Sequence, residues 1–147
     1  MELLNSEHHC EDFSCGVPLL DLYLQKQAII DARRQLSIVY VLNGNDKTVA
    51  GYYTLSSTMI ELANDQTISG AVISRLAVDK QHQKKGYGEL LLLDALYQAH
   101  SLNQENALFT IIVNSINKKA AQFYKKYGFT QFAHQENRLY LPMDVNI

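Results

Sequence analysis

The sequence predicts an α/β fold in which a mixed central sheet is flanked by helices. Strand-like and helix-like segments follow one another along most of the chain, which is the order expected of such a fold. The segment ALFTIIV is almost continuously apolar, as in a strand that is covered on both faces. No repeat or linker divides the 147 residues, so we predict one domain over residues 1–147.

The first half of the chain predicts a helix followed by a hairpin. Residues 17–35 have helical apolar spacing, and Pro18 suits the first turn of a helix. Residues 36–60 contain two β-rich runs on either side of NGND, which is a turn signal. We therefore expect an antiparallel hairpin after the helix.

The second half predicts strand, helix, strand, helix and a final pair of strands. Gly128 lies where the last helix needs a left-handed cap, and glycine adopts that conformation at little cost. The expected strands are residues 71–78, 107–113, 129–134 and 138–143, and the expected helices are residues 88–102 and 117–128.

Charge and composition narrow the classes of protein. The net charge of −2 argues against a general nucleic-acid binder, but residues 75–126 carry +4 whereas residues 1–74 carry −5. An anion would therefore meet residues 75–126. No run of about 18 apolar residues predicts a membrane span, and the first residues lack the features of a signal peptide, so we expect no membrane contact and a cytoplasmic location.

The cysteines and histidines near the start of the chain do not predict a metal site. His8, His9, Cys10 and Cys15 lack the paired spacing of metal ligands. With no export signal, the two cysteines are expected to be free thiols. We therefore predict no metal.

A turn with two glycines separates the third predicted strand from the following helix. Gly86 and Gly88 lie among Lys80, Lys84 and Lys85. Glycine lets backbone N–H groups approach a ligand, and a helix start offers unpaired N–H donors, so the segment favours a phosphate site. A plain turn is the alternative. A dinucleotide fingerprint is excluded because Leu91 occupies its third small position, and no Gly-Lys-Ser/Thr sequence is present for a P-loop.

Two motifs in order give a resemblance to a known family. The first is QKKGYG, Gln83–Gly88, and the second is Asn114 followed by a helix with Ala120, Phe123 and Tyr124 and then by Gly128-Phe129. Their order and spacing resemble the GCN5-related N-acetyltransferases (GNAT family), and the order of strands and helices fits that fold along almost the entire chain.

This resemblance implies that acetyl-CoA is the acetyl donor. The pantetheine arm is then expected along the edge of the RLAV strand, and the pyrophosphate on the N–H groups of residues 84 to 89. The implied cofactor-binding residues are Leu76, Ala77, Val78, Gln83, Lys84, Lys85, Gly86, Tyr87, Gly88, Glu89, Asn114 and Tyr127.

The resemblance also implies how the acetyl group is transferred. A backbone N–H at or near Val78 is expected to bind the thioester carbonyl oxygen. Tyr124 is the implied proton donor for the departing thiolate, with Tyr127 as a second candidate. A phenol is protonated at pH 7, and an α-amino group is partly neutral there, so no separate base is required. The alternative is that this aromatic stripe is ordinary core.

The first half of the chain narrows the resemblance to the acetyltransferase toxins of bacterial toxin–antitoxin operons. The segments that carry it are Phe13-Ser14-Cys15-Gly16, Arg33-Arg34 and Gly51-Tyr52-Tyr53-Thr54-Leu55. Such toxins acetylate the α-amino group of aminoacyl-tRNA, which stops translation. The resemblance further implies a ribbon-helix-helix antitoxin as partner, and a homodimer.

Two features depart from that group of toxins. The isoelectric point is near 6.2 where the relatives are basic, and residues 61–70 are short and lack a proline-rich loop. Phosphate contacts supply most non-specific affinity for RNA. The candidates for such contacts are Arg33, Arg34 and Arg75, and the pairs Lys118-Lys119 and Lys125-Lys126, for which a solvated helix face is the alternative. An acetyltransferase for a small-molecule or protein amine, and a binding module without turnover, remain alternative functions.

Overall fold

The structure, a computed structural model, describes residues 1–61, 67–102 and 108–144. The strands are β1 (Glu2–Leu3), β2 (Ile38–Asn43), β3 (Val49–Glu61), β4 (Thr67–Val78), β5 (Leu108–Asn114), β6 (Thr130–Phe132) and β7 (Gln135–Asp144). The helices are α1 (Pro18–Leu22), α2 (Ala28–Arg33), α3 (Tyr87–Leu102) and α4 (Lys118–Lys126).

The strands form one seven-stranded sheet in the order β1-β2-β3-β4-β5-β7-β6. β4 and β5 are parallel, whereas β2 pairs antiparallel with β3, and β7 pairs antiparallel with both β5 and β6. A sheet that contains both parallel and antiparallel pairs is mixed. The predicted α/β class with a mixed central sheet is confirmed.

Two local features differ from the sequence prediction. β1, which pairs antiparallel with β2, was not predicted, because two residues are too few to form a periodic pattern. The single predicted first helix is divided, since a π-helical segment, Tyr23–Gln27, connects α1 to α2. Regular apolar spacing on either side hides such a segment in the sequence.

The chain divides into two compact units, and the first comprises Met1–Ser56 and Arg75–Ala95. Its core contains Phe13, Leu24, Val41 and Tyr52, all less than 5% exposed. The Phe13 ring meets the Tyr52 ring edge-on with centroids 5.5 Å apart. Leu20 of α1 and Ala28 of α2 are thus buried together with residues of β2 and β3.

The Gly-Tyr-Tyr motif of β3 has a packing explanation within this unit. The Tyr52 hydroxyl donates to the Leu20 carbonyl at 2.8 Å, and the Tyr53 hydroxyl donates to Asp94 Oδ2 at 2.5 Å. A Cβ on Gly51 would lie only 2.9 Å from Leu91 Cδ1. The two tyrosine hydroxyls therefore connect α1 and α3 to β3, and the lack of a side chain at Gly51 lets α3 pack closely against that strand.

The second unit comprises Ser57–Ser74 and Leu96–Ile147. Phe109, Ile111, Ile112 and Val113 of β5 are all buried, which explains why this strand is apolar without alternation. The Asn117 side chain caps α4 by accepting from the N–H of Ala120 at 2.8 Å. The predicted left-handed cap is confirmed, with φ +96° at Gly128.

Some predictions fall outside what the fold tests. The single domain over residues 1–147 stays a prediction. Of the short segment 61–70, residues 62–66 lie outside the described residues, and residues 67–70 begin β4. Within the described ranges, no helix is long and apolar enough to cross a membrane.

Candidate functional site

The end of β4 presents backbone groups on one edge. Pairing with β5 runs from Ser69 to Ile73, and among the described residues of β5 none pairs with residues 74–78. The N–H of Asp79 donates to the Ala50 carbonyl of β3 at 2.8 Å. Because successive N–H groups of an extended chain alternate in direction, those of Val78 and Leu76 point away from β3. The family resemblance implies that the pantetheine arm of acetyl-CoA lies along this edge.

The glycine turn, residues 83–88, follows a short 3₁₀ turn, Lys80–His82, and leads into α3. Gly86 has φ +81° and Lys84 has φ +67°, so both backbones are left-handed. A Cβ on Gly86 would have no atom within 4 Å, so it is backbone conformation and not space that favours glycine there.

The N–H groups of residues 84 to 89 form a row of available donors. Within the described part of the chain, none of these six donates a hydrogen bond to another residue. They lie at the N-terminus of a 16-residue helix, where the macrodipole adds positive potential. Lys80, Lys84 and Lys85 are exposed nearby, and none has an ion-pair partner among the residues described. This arrangement fits a diphosphate.

A loop near the start of the chain, residues 13–16, holds the glycine turn in place, and we call it the N-terminal brace. The N–H of Ser14 donates to Asp79 Oδ2 at 3.0 Å, and the Ser14 carbonyl accepts from the N–H of Lys80 at 2.8 Å. Asp79 Oδ1 also accepts from the N–H of Gln81 at 2.9 Å. These contacts connect the loop around Cys15 to the start of the glycine turn, and the φ of +101° at Gly16 favours glycine there.

The Gln83 side chain completes the same bracing network. Its Nε2 donates to the Val78 carbonyl at 2.9 Å and to the Cys15 carbonyl at 3.0 Å. The sequence placed Gln83 among the cofactor contacts, and the structure shows that its amide binds protein carbonyls. Sequence reasoning did not find the roles of Ser14 and Asp79, because no local pattern connects residues 65 positions apart.

Tyr87 and Glu89 open α3 next to the glycine turn. The Tyr87 ring is half-buried and stacks on His82, with centroids 5.9 Å apart. Glu89 is exposed in the first turn of the helix. Tyr87 therefore adds a wall to the turn, and Glu89 contributes its backbone N–H.

Tyr124, the predicted proton donor, lies on α4 in the second unit. It is 4% exposed, and its ring meets Phe123 and Phe129 edge-on at 5.4 and 5.7 Å between centroids. Among the described residues, its hydroxyl makes no hydrogen bond. Burial raises the pKa of Tyr124 above the ordinary tyrosine value, so the phenol stays protonated at neutral pH.

The other predicted residues of the second unit lie near the ends of β5 and α4. Asn114 is the last residue of β5 and pairs in register with Arg138 of β7. The half-buried Tyr127 follows α4 and meets the Phe123 ring at 5.2 Å between centroids. Both residues keep their predicted cofactor roles as proposals.

The candidate RNA-binding arginines are all in the first unit. Arg33 and Arg34 are exposed at the end of α2, and Arg75 lies on β4 with its guanidinium carbon 3.6 Å from the centroid of the Tyr23 ring. None of the three has an ion-pair partner in the described ranges. The four candidate lysines of α4 are exposed, which agrees with a solvated face, and Lys118 and Lys125 line a groove of about 400 Å³ along that helix.

The cysteines and potential metal ligands behave as ordinary protein groups. Cys10 and Cys15 are free thiols, and burial raises the pKa of each to about 11. No three His, Cys, Asp or Glu side chains come together as a metal site among the residues described.

The pairing of β4 with β5 stops before β4 ends, and a glycine turn that fits a diphosphate follows at a helix start, which is the arrangement expected of an acyl-CoA-dependent transferase. The family model described as an acetyltransferase (GNAT) domain matches residues 35–131. The chain belongs to the GNAT acetyltransferase family, and the predicted family and enzyme class are confirmed.

Several relatives are toxins. The chain is 31% identical over 126 residues to the tRNA-acetylating toxin of Mycobacterium tuberculosis, covering 80% of this chain and 75% of the relative. It is similar to a tyrosine-to-phenylalanine variant of the AtaT toxin bound to the C-terminus of the antitoxin AtaR and acetyl-CoA (TM-score 0.88, 29% identity, 96% and 91% of the two chains). It is also similar to AtaT complexed with acetyl-methionyl-tRNAfMet (TM-score 0.86, 27% identity, 96% and 92%).

Proposed function

We propose that this chain transfers the acetyl group of acetyl-CoA to the α-amino group of aminoacyl-tRNA, and that it blocks translation as the toxin of a toxin–antitoxin pair. The observation that carries the proposal is the row of N–H donors at residues 84 to 89, held by the N-terminal brace. The toxin relatives support aminoacyl-tRNA as the acceptor and acetyl-CoA as the donor.

The cofactor would be held mainly by backbone groups. The N–H groups of residues 84 to 89 would bind the pyrophosphate, and Lys84 and Lys85 would add charge opposite the phosphates. Leu76, Ala77 and Val78 would line the pantetheine arm, with Asn114 and Tyr127 as further contacts. Gln83 would act through its hold on the Val78 carbonyl.

Bound acetyl-CoA supplies an electrophilic acetyl carbon and a sulfur leaving group. The N–H of Val78 would bind the carbonyl oxygen as negative charge develops on it. The neutral amine forms the new C–N bond as the C–S bond breaks, and Tyr124 gives its proton to the departing sulfur. The amine releases its extra proton to water, and Tyr124 is reprotonated from solvent. Solved structures of the related proteins AtaT and KacT include variants in which a tyrosine is replaced by phenylalanine, and the same type of substitution at Tyr124 tests its role here.

The acceptor and partners follow from the toxin resemblance. Arg33, Arg34 and Arg75 would bind RNA phosphates, since each carries an unpaired charge among the described residues. Solved relatives include toxin–antitoxin complexes bound to DNA. A ribbon-helix-helix antitoxin, a homodimer and action in the cytoplasm, where translation occurs, complete the proposal.

The test offers charged and uncharged tRNA to the purified chain together with labelled acetyl-CoA. We expect label on charged tRNA only, released with the amino acid on mild alkaline hydrolysis of the ester. Tyr124→Phe should abolish most of the transfer, whereas Tyr97→Phe, at a tyrosine that is 69% exposed on α3, should not. Label on uncharged tRNA, or none on either RNA, would contradict the proposed acceptor.

The mildly acidic isoelectric point near 6.2 favours a second candidate, acetylation of a small-molecule or protein amine. This second candidate is tested by offering free amino acids, polyamines and lysine peptides as acceptors in the same assay. Transfer to one of these at a higher kcat/KM than to charged tRNA would favour this candidate. Coenzyme A binding without transfer to any amine would indicate a binding module instead.

A further inference from the structure

Arg75 and the first helix form a contact that the acetyl-transfer chemistry does not use. The Arg75 guanidinium lies over the face of Tyr23, and the Tyr23 ring stacks on Tyr52 with centroids 6.3 Å apart and planes 14° apart. Tyr23 and Tyr52 are 8% and 0% exposed, so the aromatic platform beneath the cation is buried. One face of the guanidinium is therefore fixed in place by a rigid surface.

The π-helical segment brings the partners of this platform together. The Tyr23 hydroxyl donates to Asp31 Oδ2 at 2.7 Å, and Gln27 Nε2 donates to Asp31 Oδ1 at 2.9 Å. Tyr23 and Asp31 are eight positions apart in the chain, which is more than two α-helical turns of about seven residues. A π-helical turn holds an extra residue, so Tyr23 and Asp31 come to share one face of the helix.

The charge of Arg75 interacts electrostatically with the nearby Asp31 carboxylate, but the N–H donors of its guanidinium are not used within the described ranges. Asp31, the nearby carboxylate, is bound by Tyr23 and Gln27, and no ion pair or hydrogen bond of Arg75 is found among the residues described. The planar edge of a guanidinium carries N–H donors that match a phosphate. Arg75 also directly precedes Leu76 and lies three residues before Val78, on the strand edge that would hold the thioester.

We propose that Tyr23 and Asp31 are positioning residues that hold Arg75 to bind a phosphate near the 3′ end of the acceptor RNA. The inference rests on the proposed function, because an aminoacyl-tRNA acceptor brings the phosphates of its 3′ end close to the reacting amine. Arg75 recognises the RNA backbone without contributing to the chemistry, and the platform keeps its flexible side chain in one orientation.

The experiment compares two acceptors that carry the same amino acid: aminoacyl-tRNA, and the matching 3′-aminoacyl-adenosine, which has no phosphate. With aminoacyl-tRNA, Arg75→Gln should raise KM about tenfold, as expected for loss of one charge-assisted hydrogen bond. The slope of log KM against log salt should flatten by about 0.7 to 0.9, the value for one phosphate contact. Tyr23→Phe, which keeps the ring but removes the tie to Asp31, should raise KM about threefold. With aminoacyl-adenosine, both variants should stay within about twofold of wild type.

A double-mutant cycle separates positioning from a structural role. If Tyr23 acts through Arg75, the variant carrying both changes should be no worse on aminoacyl-tRNA than Arg75→Gln alone. Lys47→Gln is the matched control for loss of one positive charge, because Lys47 is already paired with Glu7, and it should leave the salt slope unchanged. Thermal unfolding monitors folding, and Arg75→Lys, which retains the charge, should recover part of the affinity.

Three results would overturn the inference: an unchanged salt slope in Arg75→Gln, equal losses on both acceptors, or additive effects of the two changes. If Arg75→Gln fails to fold, the same measurements on Tyr23→Phe and Arg75→Lys test the inference instead. Wild-type protein that acetylates no charged tRNA would defeat the proposed function together with this inference. Wild-type activity on charged tRNA with any of the three results above would defeat this inference alone.

Discussion

The glycine turn and the surroundings of Tyr124 are built by opposite means. The turn is held by side-chain amide and carboxylate groups that bind backbone atoms, so that six N–H groups remain available. Tyr124 is held by apolar rings, and its hydroxyl has no hydrogen-bond partner in the described part of the chain. The proposed anion site therefore depends on polar bracing, whereas the proposed proton donor depends on burial.

The largest effect is expected from Tyr124→Phe, which removes one hydroxyl and keeps the ring packing. Because general acid catalysis contributes about 10²- to 10⁴-fold, kcat should fall by at least about 100-fold. Coenzyme A affinity should stay within about twofold, as measured by calorimetry. A matching loss of coenzyme A affinity would show that Tyr124 serves the cofactor site and not the chemistry.

The contribution of Tyr124 to the free energy of unfolding should depend on pH in a definite direction. Burial raises the folded-state pKa of Tyr124 above its unfolded value near 10, so its contribution is complete below pH 10 and is lost as the pH rises further. Tyr124→Phe should therefore lose less stability than wild type between about pH 9.5 and 11 in urea unfolding. Parallel curves for the two proteins would show that the phenol ionises equally in both states.

The next largest effect is expected at the glycine turn. Gly86→Val places a β-branched residue at φ +81°, where a Cβ meets no neighbour but the backbone is strained. The turn should relax away from this conformation, and coenzyme A affinity should fall by tenfold or more. Gly86→Asn, which tolerates left-handed backbone better, should lose less. Equal affinity of the Val and Asn variants would mean that the left-handed conformation is not needed for binding.

A smaller effect is expected from Gln83→Glu, which replaces an amide donor with a carboxylate beside two carbonyl oxygens. Loss of two exposed hydrogen bonds should cost about 1 kcal/mol in unfolding free energy. The KM for acetyl-CoA should rise several-fold while kcat changes little. Gln81→Glu, an exposed amide in the same segment, is the matched control, and an equal rise in that variant would argue for a simple charge effect.

The last prediction concerns the chemical reactivity of Cys15 in the N-terminal brace and not the activity of the protein. Burial, and then a hydrogen bond to Asp21, raises the pKa of this thiol to about 11, so little thiolate exists at pH 8. Alkylation by iodoacetamide at pH 8 should be at least tenfold slower in the folded protein than in urea. Mass spectrometry of the modified peptides checks this, and rapid modification of folded Cys15 would mean that the brace opens often.

The sequence predicted the parts of the fold that repeat a pattern over several residues. The apolar run of β5, the NGND turn and Gly128 each carry a local physical signal, and each led to the correct element. β1 was too short to show a pattern, and the π-helical segment keeps the apolar spacing of an α-helix.

The candidate site was predictable only where a motif is continuous. Gly86, Lys84 and the helix start lie within a few residues of one another, so their joint geometry could be inferred. The contacts of Asp79 with Ser14, and of Arg75 with Tyr23, join residues that are distant in the chain and share no local pattern. Such pairings depend on how β4 lies beside the first helix and the N-terminal brace, which a single sequence does not state.

The contact between Ser14 and Asp79 has a consequence for how the protein is made. During synthesis at about 5 to 20 residues per second, the ribosome adds the second partner roughly 3 to 13 s after the first. A polypeptide initiated internally at Met59 would carry the whole QKKGYG motif but neither Ser14 nor Cys15. The sequence of such a fragment would still match the acetyltransferase motif. The fragment would nevertheless lack the N-terminal brace, which holds the turn that carries the N–H groups of residues 84 to 89.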